Sequence, residues 1–402
     1  MRNKFLNAQA RDLEQTFANN VSEIRRGNTT ASWRKVQLGE ICRFKYGEMP
    51  KKGDLTPEGY PVYSGYRYVG YSPRYHYVEP EIIVVARGEG GTGDIKMTPP
   101  FCFLTNISIA ILLESPEVFK PFLFYRLSAT TLWKLRTGSA QAQITIEHLK
   151  DFEVEFPQLS VQRRIAGILS AYDELIQNSQ RRIQILEAMA RALYREWFVH
   201  FRIPAEVLAK AGTSPKINLI SSPIGKIPQG WEVKKLGDVL ELNYGKALKQ
   251  EDRCSGVVPV FGSSGIVGQH DTALVKGPGI IVGRKGNVGS VFWCVEDFYV
   301  IDTAYFVTSS LPLRFLFYVL PTLNFLNSDA AVPGLSRNQA YTLEILVPPA
   351  TLLKKFCALA DTFELQASAL QRQIQNLRRT RDLLLPRLLS RQVALAEQEI
   401  SP

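Results

Sequence analysis

Histidine and cysteine, which supply most zinc ligands, are scarce in this chain of 402 residues, with four copies of the first and five of the second. The cysteines form no Cys-x-x-Cys pair, and along the sequence no histidine lies close to another histidine or to a cysteine. Because zinc ligands usually arrive in closely spaced pairs, we expect no metal site. The odd, scattered set predicts reduced thiols rather than a disulfide framework: Cys42, Cys102, Cys254, Cys294 and Cys357.

Long apolar runs are absent as well. A membrane-spanning helix needs about 20 consecutive apolar residues, and no stretch of the sequence approaches that length. The first residues, MRNKFLNAQARDLEQ, are polar and lack the apolar core of a signal peptide. We therefore expect a cytoplasmic protein. Its formal net charge of +10 favours a polyanionic partner, with nucleic acid as the first candidate.

The sequence contains an internal repeat. WRKVQLGEICRFKYG begins at Trp33 and WEVKKLGDVLELNYG at Trp231, so that Leu38, Gly39, Tyr46 and Gly47 fall on Leu236, Gly237, Tyr244 and Gly245. Further segments align in the same order: 61–70 with 259–268, 122–127 with 315–320, and 152–157 with 343–348. The offset shrinks gradually along the chain, as small loop deletions would produce, and we infer a duplicated module.

The repeat defines the domain organisation that we expect. The first residues have no counterpart before the second copy and are treated as an extension. The segment between the copies is rich in proline and glycine, which is typical of a linker. The expected order is extension (1–32), module 1 (33–157), helical spacer 1 (158–202), linker (203–230), module 2 (231–347), helical spacer 2 (348–392) and tail (393–402).

Each module is expected to be α+β, with short strands and one helix packed on the sheet. EIIVVARG (81–88) and GIIVGRKG (279–286) are β-rich runs that end in glycine turns. FCFLT (101–105) and VFWCV (291–295) are interpreted as their returning partners. The helix is expected in two segments rich in leucine, phenylalanine and tyrosine, 116–136 and 311–327.

Two motifs point toward catalysis and have to be weighed. Residues 88–93 spell Gly-x-Gly-x-x-Gly after a strand, but a dinucleotide site needs a helix next, and Pro99 with its proline neighbour prevents one. TPPF (98–101) resembles the Asp/Asn-Pro-Pro-aromatic motif of amino-methyltransferases, although Thr98 is a poor substitute for the residue that holds the amine. No Ser/His/Asp set, carboxylate pair or metal cluster recurs in both copies, which favours binding over catalysis.

Basic, polar loops with aromatic residues nearby do recur in both modules. Arginine and lysine suit phosphates and guanine edges, asparagine and glutamine can pair with adenine, and tyrosine can stack. The alternative at each position is an ordinary solvated loop. The candidate DNA-binding residues are Lys45, Tyr66, Arg67, Arg74, Arg87, Arg136, Ser139, Gln141, Gln143, Lys246, Ser263, Ser264, Arg284, Lys285, Asn287, Ser336, Arg337 and Asn338.

A heptad-like pattern follows each module, and such sustained spacing indicates a coiled-coil seam. We expect the two helices to pair antiparallel, with the modules at opposite ends and related by a pseudo-twofold axis. Docking of each helix on its own module is the alternative. Pro386 is expected to bend or stop the second helix. The seam positions are Ile165, Leu169, Tyr172, Ile176, Ser179, Ile183, Leu186, Ala190, Leu193 and Trp197, then Phe356, Leu359, Phe363, Ala367, Leu370, Ile374, Leu377, Arg381, Leu384 and Leu388.

Several stretches closely resemble the specificity subunit of Type I restriction-modification enzymes. They are IPQGWEVKKLGDV (227–239), REWFVHF (195–201) and QLSVQRRIAGILSAYDELI (158–176), together with the loops PVYSGYRYVG and VVPVFGSSGIVGQHD. The resemblance extends over residues 33–390. The order of module, helix, module and helix makes it specific.

The resemblance implies that each module is a target recognition domain, which reads one half of a split DNA sequence, and that the helices act as a molecular ruler. It also implies a chain with no catalytic site and no cofactor of its own. Two methyltransferase subunits would supply S-adenosylmethionine chemistry, and restriction subunits would add ATP- and Mg-dependent translocation and cleavage. The alternatives are a self-sufficient DNA amino-methyltransferase and a coiled-coil scaffold without DNA specificity.

Overall fold

The computed structural model describes residues 33–390 except 52, 54, 66, 89–90, 131, 138–141, 213, 215 and 326–333. The predicted extension (1–32) and tail (393–402) lie outside these residues. The chain divides into two compact units: the first contains the residues up to Asn178 and from Gln373 onward, and the second contains Ser179–Arg372. Among the described residues, no helix is both long enough and apolar enough to cross a membrane.

Module 1 is built from short strands. They are β1 (Arg34–Gln37), β2 (Cys42–Tyr46), β3 (Tyr60–Ser64), β4 (Arg67–Ser72), β5 (Ile82–Val85), β6 (Ile95–Met97), β7 (Phe103–Leu104), β8 (Ser108–Leu113) and β9 (Glu153–Phe156). They form a sheet in the order β2-β8-β5-β6, a second sheet in the order β4-β3-β7, and the antiparallel pair β1-β9. Every residue of β5 is buried, as a run of isoleucine and valine between two neighbouring strands predicts.

Three short helices accompany these strands: α1 (Leu38–Ile41), α2 (Lys120–Ser128) and α3 (Ile146–Lys150). The predicted packed helix in 116–136 is confirmed as α2, followed by a 3₁₀ turn over Leu132–Leu135. Phe122 and Leu123 of α2 lie in the core of the first unit.

The long helix α4 (Leu159–Tyr194) follows module 1 and ends in a π-helical turn over Arg195–Val199. The segment predicted as a linker then contains regular structure: helix α5 (Ala205–Lys210) and an antiparallel hairpin of β10 (Leu219–Ser222) and β11 (Gly225–Pro228). Leu208 belongs to the core of the second unit. The linker is therefore folded onto that unit, and its prolines and glycines punctuate short elements.

Module 2 repeats the architecture of module 1. Its strands are β12 (Glu232–Lys235), β13 (Leu240–Tyr244), β14 (Val258–Gly262), β15 (Gly265–His270), β16 (Gly279–Gly283), β17 (Val291–Cys294), β18 (Tyr299–Val300), β19 (Ala304–Ser309) and β20 (Glu344–Val347). The sheet orders are β13-β19-β16-β17, β15-β14-β18 and β12-β20. The helices are α6 (Leu313–Val319), within the predicted segment 311–327, and α7 (Arg337–Tyr341), with 3₁₀ turns over Leu236–Asp238, Gln250–Asp252 and Leu320–Thr322.

The duplication extends to irregular details of the backbone. The β3-β4 ladder shifts register between Val62 and Tyr63, and the β14-β15 ladder shifts between Val260 and Phe261. In each module a short strand, β7 or β18, pairs in parallel with the strand that carries the shift. A bulge at the same place in both ladders supports the inferred duplication better than sequence identity alone.

One strand assignment from the sequence is wrong. FCFLT (101–105) does not return along β5, because its strand β7 pairs in parallel with β3. The returning partner of β5 is β6, which ends at Met97, before the two prolines. The equivalent interpretation of VFWCV is confirmed, since β17 pairs antiparallel with β16. β6 has only three residues and directly follows a glycine loop, so the sequence shows no alternating pattern that would predict it as a strand.

The last helix, α8 (Ala350–Leu389), pairs antiparallel with α4 in the first unit. There, Asp173 of α4 binds Arg381 of α8. Ile165, which precedes Asp173, shares a core cluster with Leu388, which follows Arg381. Each unit contains one half of each long helix. The expected antiparallel coiled coil is therefore confirmed.

Two expectations about α8 need correction. Leu359 was placed in the seam but is 43% exposed, whereas Cys357 and Ala360 on either side are buried. At that end of α8 the inner face packs into the core of module 2, so the module and not the heptad decides which residues are covered. Pro386 does not stop the helix, which continues to Leu389.

Candidate nucleic-acid interface

At one edge of module 2, three chain segments are tied together by backbone hydrogen bonds. Arg284 and Lys285, directly after β16, both donate their N–H groups to the carbonyl of Thr303, at 2.9 and 3.1 Å. The Leu335 N–H donates to the Arg284 carbonyl over 2.9 Å, and Lys285 forms an isolated β-bridge with Gly334. The backbone of Arg284 is therefore fixed, although it lies beyond the end of a strand.

Two guanidinium groups lie over the ring of Tyr244, the last residue of β13. The Cζ atom of Arg284 is 4.9 Å from the ring centroid, and that of Arg337 is 4.7 Å from it. Arg284 Nη1 donates to the Asp302 carbonyl over 2.9 Å, and Arg337 Nη1 donates to the Leu242 carbonyl over 3.1 Å. Tyr244 is 49% exposed, so this guanidinium cluster reaches solvent.

Tyr305 supports the cluster from the interior. It is the ladder partner of Tyr244, and the two ring centroids are 5.1 Å apart. Burial, followed by a hydrogen bond with Tyr244, raises the pKa of Tyr305 to about 12. Its hydroxyl is consequently protonated at neutral pH and donates to the Leu335 carbonyl over 3.1 Å. This bond ties β19 to the segment that leads into α7.

The tip of the β14-β15 hairpin approaches the loop after β16. Asn287 Nδ2 donates to Ser264 Oγ over 3.2 Å, and Ser290 Oγ donates to the Ser263 carbonyl over 2.6 Å. Ser264 and Asn287 are exposed. Ser263, also predicted as a DNA-binding residue, is only 8% exposed, because the loop covers it. The structure therefore brings Asn287 and Ser264 to this edge but does not present the Ser263 side chain at the surface.

Arg87 occupies in module 1 the place that Arg284 has in module 2. Its Nη2 atom donates to the Asn106 carbonyl over 3.1 Å, in the turn before β8, and its backbone forms a β-bridge with Gln143. Tyr46, the last residue of β2, corresponds to Tyr244. In both modules, an arginine after the central strand is held by the carbonyl of the turn that precedes the neighbouring strand.

Arg136 is held differently. Both Nε and Nη2 donate to the carbonyl of Thr92, with an Nε distance of 2.8 Å. The Cζ atom lies 4.6 Å from the ring centroid of Trp133, which is 57% exposed. The edge of this guanidinium that carries Nε and Nη2 is thus hydrogen-bonded within the protein. The surface that the pair offers is the indole ring of Trp133, a residue that is not among the predicted candidates.

The remaining candidate residues are dispersed around these edges. Arg67 begins β4 and Arg74 follows its far end, where the Arg74 Cζ atom is 5.7 Å from the Phe103 ring centroid. The pattern therefore does not bring these two arginines together. The exposed candidates are Lys45, Arg67, Arg74, Arg87, Gln143, Lys246, Ser264, Lys285, Asn287, Ser336 and Asn338. Tyr66, Ser139 and Gln141 lie outside the described residues.

The aromatic residues Tyr244 and Trp133, which lie beneath guanidinium groups, are not among the predicted site residues. Tyr46 and Tyr244 match in the repeat, but that match by itself indicates only duplication. Their signal was available: each lies at the end of a strand, next to a glycine, in both copies. The sequence gives no such signal for Trp133. Its contact with Arg136 depends on the short 3₁₀ turn over Leu132–Leu135, which brings the two side chains together.

The two motifs that suggested catalysis have structural roles. The glycine motif 88–93 is followed by β6 and not by a helix. Thr98 of the TPPF motif is 3% exposed, and its Oγ1 accepts the Glu81 N–H over 2.9 Å at the end of the β5-β6 ladder. A buried hydroxyl occupied by the backbone cannot hold a substrate amine.

The cysteines are all free, as predicted. Among the described residues, one group brings three ligand types together: one potential ligand atom each of Cys254, His270 and Asp271 lie within 4.8 Å of one another. His270 Nδ1 accepts the Cys254 N–H over 3.1 Å, so the proton of the neutral ring resides on Nε2, which faces Asp271 at 3.4 Å.

Comparisons with known proteins agree with this architecture. A family model, the Type I restriction modification DNA specificity domain, matches residues 31–188 and 228–376. The Type I restriction enzyme MjaIX specificity subunit of Methanocaldococcus jannaschii is 25% identical over 354 residues, which cover 79% of this chain and 78% of that protein. The putative type I specificity subunit S.MpnORF638P of Mycoplasma pneumoniae is 25% identical over 259 residues, 62% of this chain and 64% of that protein.

A similar fold is known from experiment. The crystal structure of a Type-I restriction-modification system S subunit from M. genitalium superposes with a TM-score of 0.61 and 20% sequence identity, over 90% of this chain and 97% of that one. At this level of identity the likeness concerns the fold, including the repeated α+β modules and their long helices.

Proposed function

The chain belongs to the family of the Type I restriction modification DNA specificity domain, and on that premise we propose that each of its two modules reads one half of a split DNA target. The observation that carries the proposal is common to both modules. Arg87 and Arg284 each donate a guanidinium N–H to the carbonyl of an equivalent turn, Asn106 or Asp302, and each module has an equivalent strand-end tyrosine, Tyr46 or Tyr244. Two readers of the same construction on one chain fit a target with two separated parts.

The groups at each edge have different proposed roles. Arg87 and Arg284 are fixed by hydrogen bonds and are suited to base edges, where geometry decides specificity. Lys45, Lys246 and Lys285 are exposed, and flexible ammonium groups of this kind suit phosphates. The bases would supply the sequence information, and the phosphates would supply most of the salt-dependent affinity.

The proposal extends to the place of this chain in a larger complex. Its relative in M. jannaschii is, by name, the specificity subunit of a Type I restriction enzyme. We propose that this chain is likewise the non-catalytic, DNA-reading subunit. Two methyltransferase subunits would bind S-adenosylmethionine and transfer the methyl group, and restriction subunits would use ATP and Mg. This chain would bind no cofactor itself.

The test is methylation mapping in cells that express the chain with its methyltransferase partner. We expect one split target sequence with two constant halves. Replacement of 33–157 by the corresponding module of a relative should change one half and leave the other intact. If both halves changed together, the assignment of one half to each module would be wrong.

A second experiment separates this proposal from a self-sufficient methyltransferase. The purified chain is incubated with radiolabelled S-adenosylmethionine and duplex DNA, without any methyltransferase subunit. We expect neither cofactor binding nor methyl transfer, and full activity when the partner is added. Methyl transfer by the chain alone would favour the enzyme. Binding that ignores DNA sequence, with or without the partner, would favour a scaffold.

A further inference from the structure

The guanidinium cluster of module 2 is anchored so that part of each group remains available. Arg284 and Arg337 each donate through one Nη1 atom to a backbone carbonyl. A guanidinium has five N–H donors in one plane. The other N–H groups of both side chains can therefore serve an acceptor outside the protein, and the carbonyl and the Tyr244 ring fix the plane in which they lie.

The cluster also concentrates positive charge. Both Cζ atoms lie within 5 Å of the centroid of one ring, and in the described part of the chain neither guanidinium forms an ion pair with a carboxylate. Like charges held this close repel each other, and an acceptor-rich ligand relieves the repulsion. In DNA that ligand is either a phosphate or the O6 and N7 edge of guanine.

The way in which these arginines are held favours guanine over phosphate as the ligand. Arg284 is fixed by backbone hydrogen bonds on both sides, and Arg337 is the first residue of α7. Base recognition needs a fork held in one orientation, and paired donation to guanine O6 and N7 is the commonest specific contact of arginine. A phosphate contact carries no sequence information and can also be made by a flexible point charge such as lysine, so a rigid mounting adds less there.

Module 1 lacks half of this arrangement. Arg87 corresponds to Arg284, but the first residue of α3, which corresponds to Arg337, is Ile146. The other arginine at this edge, Arg136, donates its Nε and Nη2 groups to the Thr92 carbonyl and lies over Trp133 rather than over a strand-end tyrosine. At these two equivalent positions, the residue after the central strand and the first residue of the short helix, module 2 therefore has two arginines and module 1 has one.

From this asymmetry we propose that Arg284 and Arg337 determine specificity by reading two guanines in the half-site of module 2, whereas Arg87 reads a single guanine in the half-site of module 1. Tyr244 is the positioning residue that fixes both planes. The inference rests on the proposed function and adds to it the bases that the second module recognises.

The first test uses the unaltered chain in complex with its methyltransferase partner. The target is identified by methylation mapping, and duplexes are made in which one guanine at a time is replaced by 7-deazaguanine, which lacks the N7 acceptor. Affinity is measured by fluorescence anisotropy. We expect two positions in one half-site and one in the other to weaken binding by about tenfold to a hundredfold.

The second test assigns the positions to residues. Arg284→Gln and Arg337→Gln should each weaken binding to the native duplex and abolish sensitivity to 7-deazaguanine at one position of the second half-site. Arg87→Gln is the matched control, because the same change should affect only the other half-site. Tyr244→Leu should reduce discrimination at both positions of the second half-site and leave the first half-site unaltered.

The outcomes are distinguishable. If no split target is methylated, the proposed function itself fails. If a split target exists but its second half-site has no guanine that is sensitive to N7 removal, the inference is overturned and the proposed function stands. An equal loss of affinity for all sequences in Arg284→Gln, with a flatter salt dependence, would place these arginines on phosphates and would also overturn it.

Discussion

The two strand-end tyrosines are each followed by a glycine that leaves no room for a side chain. A Cβ atom added at Gly245 would lie 2.1 Å from the Ile301 carbonyl oxygen, and one added at Gly47 would lie 2.2 Å from the Thr105 carbonyl oxygen. Both obstacles are backbone, so the clash can be relieved only by moving the turn. Because overpacking costs about 1–3 kcal/mol, occasionally more, we expect Gly245→Ala to destabilise module 2 by about 3 kcal/mol.

The change should also disturb recognition. Ile301 adjoins Asp302, whose carbonyl anchors Arg284. A displaced turn therefore releases that guanidinium, and Gly245→Ala should lose discrimination in the second half-site while the first is read normally. Gly47→Ala should produce the mirror image, because Thr105 adjoins Asn106, the anchor of Arg87.

Hydrogen exchange followed by mass spectrometry is the appropriate assay, because it localises the loss of stability to one module. Gly245→Ala should accelerate exchange in β13 and β19 but not in β2 and β8, and Gly47→Ala should do the reverse. The control is Gly167→Ala: that position lies within α4 with no atom within 4 Å of the new Cβ, so alanine should stabilise by about 1 kcal/mol. Unchanged exchange in module 2 of Gly245→Ala would refute the steric argument.

Three further predictions address packing, pH and helix length. Arg314 is 6% exposed and binds Asp361 and Glu364 while lying over Trp293. Arg314→Ala should cost about 3 kcal/mol in urea unfolding, and Arg314→Met, which also removes the charge but keeps the packing over Trp293, should cost well under half of that. Equal losses would contradict the role of packing and assign the cost to the lost ion pairs. Burial lowers the pKa of His76, whose Nδ1 accepts the Leu104 N–H. The unfolded state therefore takes up the proton first, and stability present above pH 6.5 is lost as the pH falls below it. The free energy of unfolding should depend less on pH in His76→Phe, and an equal pH dependence in the two proteins would contradict this. Deletion of one heptad from both long helices shortens them by roughly 10 Å, which corresponds to about three base pairs of DNA. Methylation mapping should then show a shorter spacer between the two half-sites or no specific modification. An unchanged spacer at full activity would exclude the helices as the ruler.

The sequence predicted the features that depend on periodicity and repetition. The duplicated modules, the central strands and the antiparallel helices all follow from patterns that extend over many residues. Leu359 was misplaced because a heptad describes a helix against a helix, whereas the start of α8 packs on a module core. The strand β6 was missed because three residues hold no period of their own, and only the partner β5 reveals them.

The candidate site was predicted less completely, for a physical reason. Charge and loop position indicate which arginines reach the surface, but they do not reveal what holds each guanidinium. Arg87, Arg136 and Arg284 look alike in the sequence. They differ in the carbonyl that each one binds and in how much of the fork that bond consumes. Those carbonyls come from distant turns, which only the folded backbone places.

The division of the chain into units has a consequence for its synthesis on the ribosome. The second unit is one continuous stretch of chain, whereas the first unit needs residues from both ends of the sequence. Leu388 and Leu389 fill the core of the first unit, so module 1 stays open on that side until the end of α8 has left the exit tunnel. The first unit can therefore complete its core only after the whole second unit has been synthesised, whereas an N-terminal domain usually folds first. A premature stop after Arg372 would therefore leave the second unit complete and remove the part of α8 that covers the core of module 1.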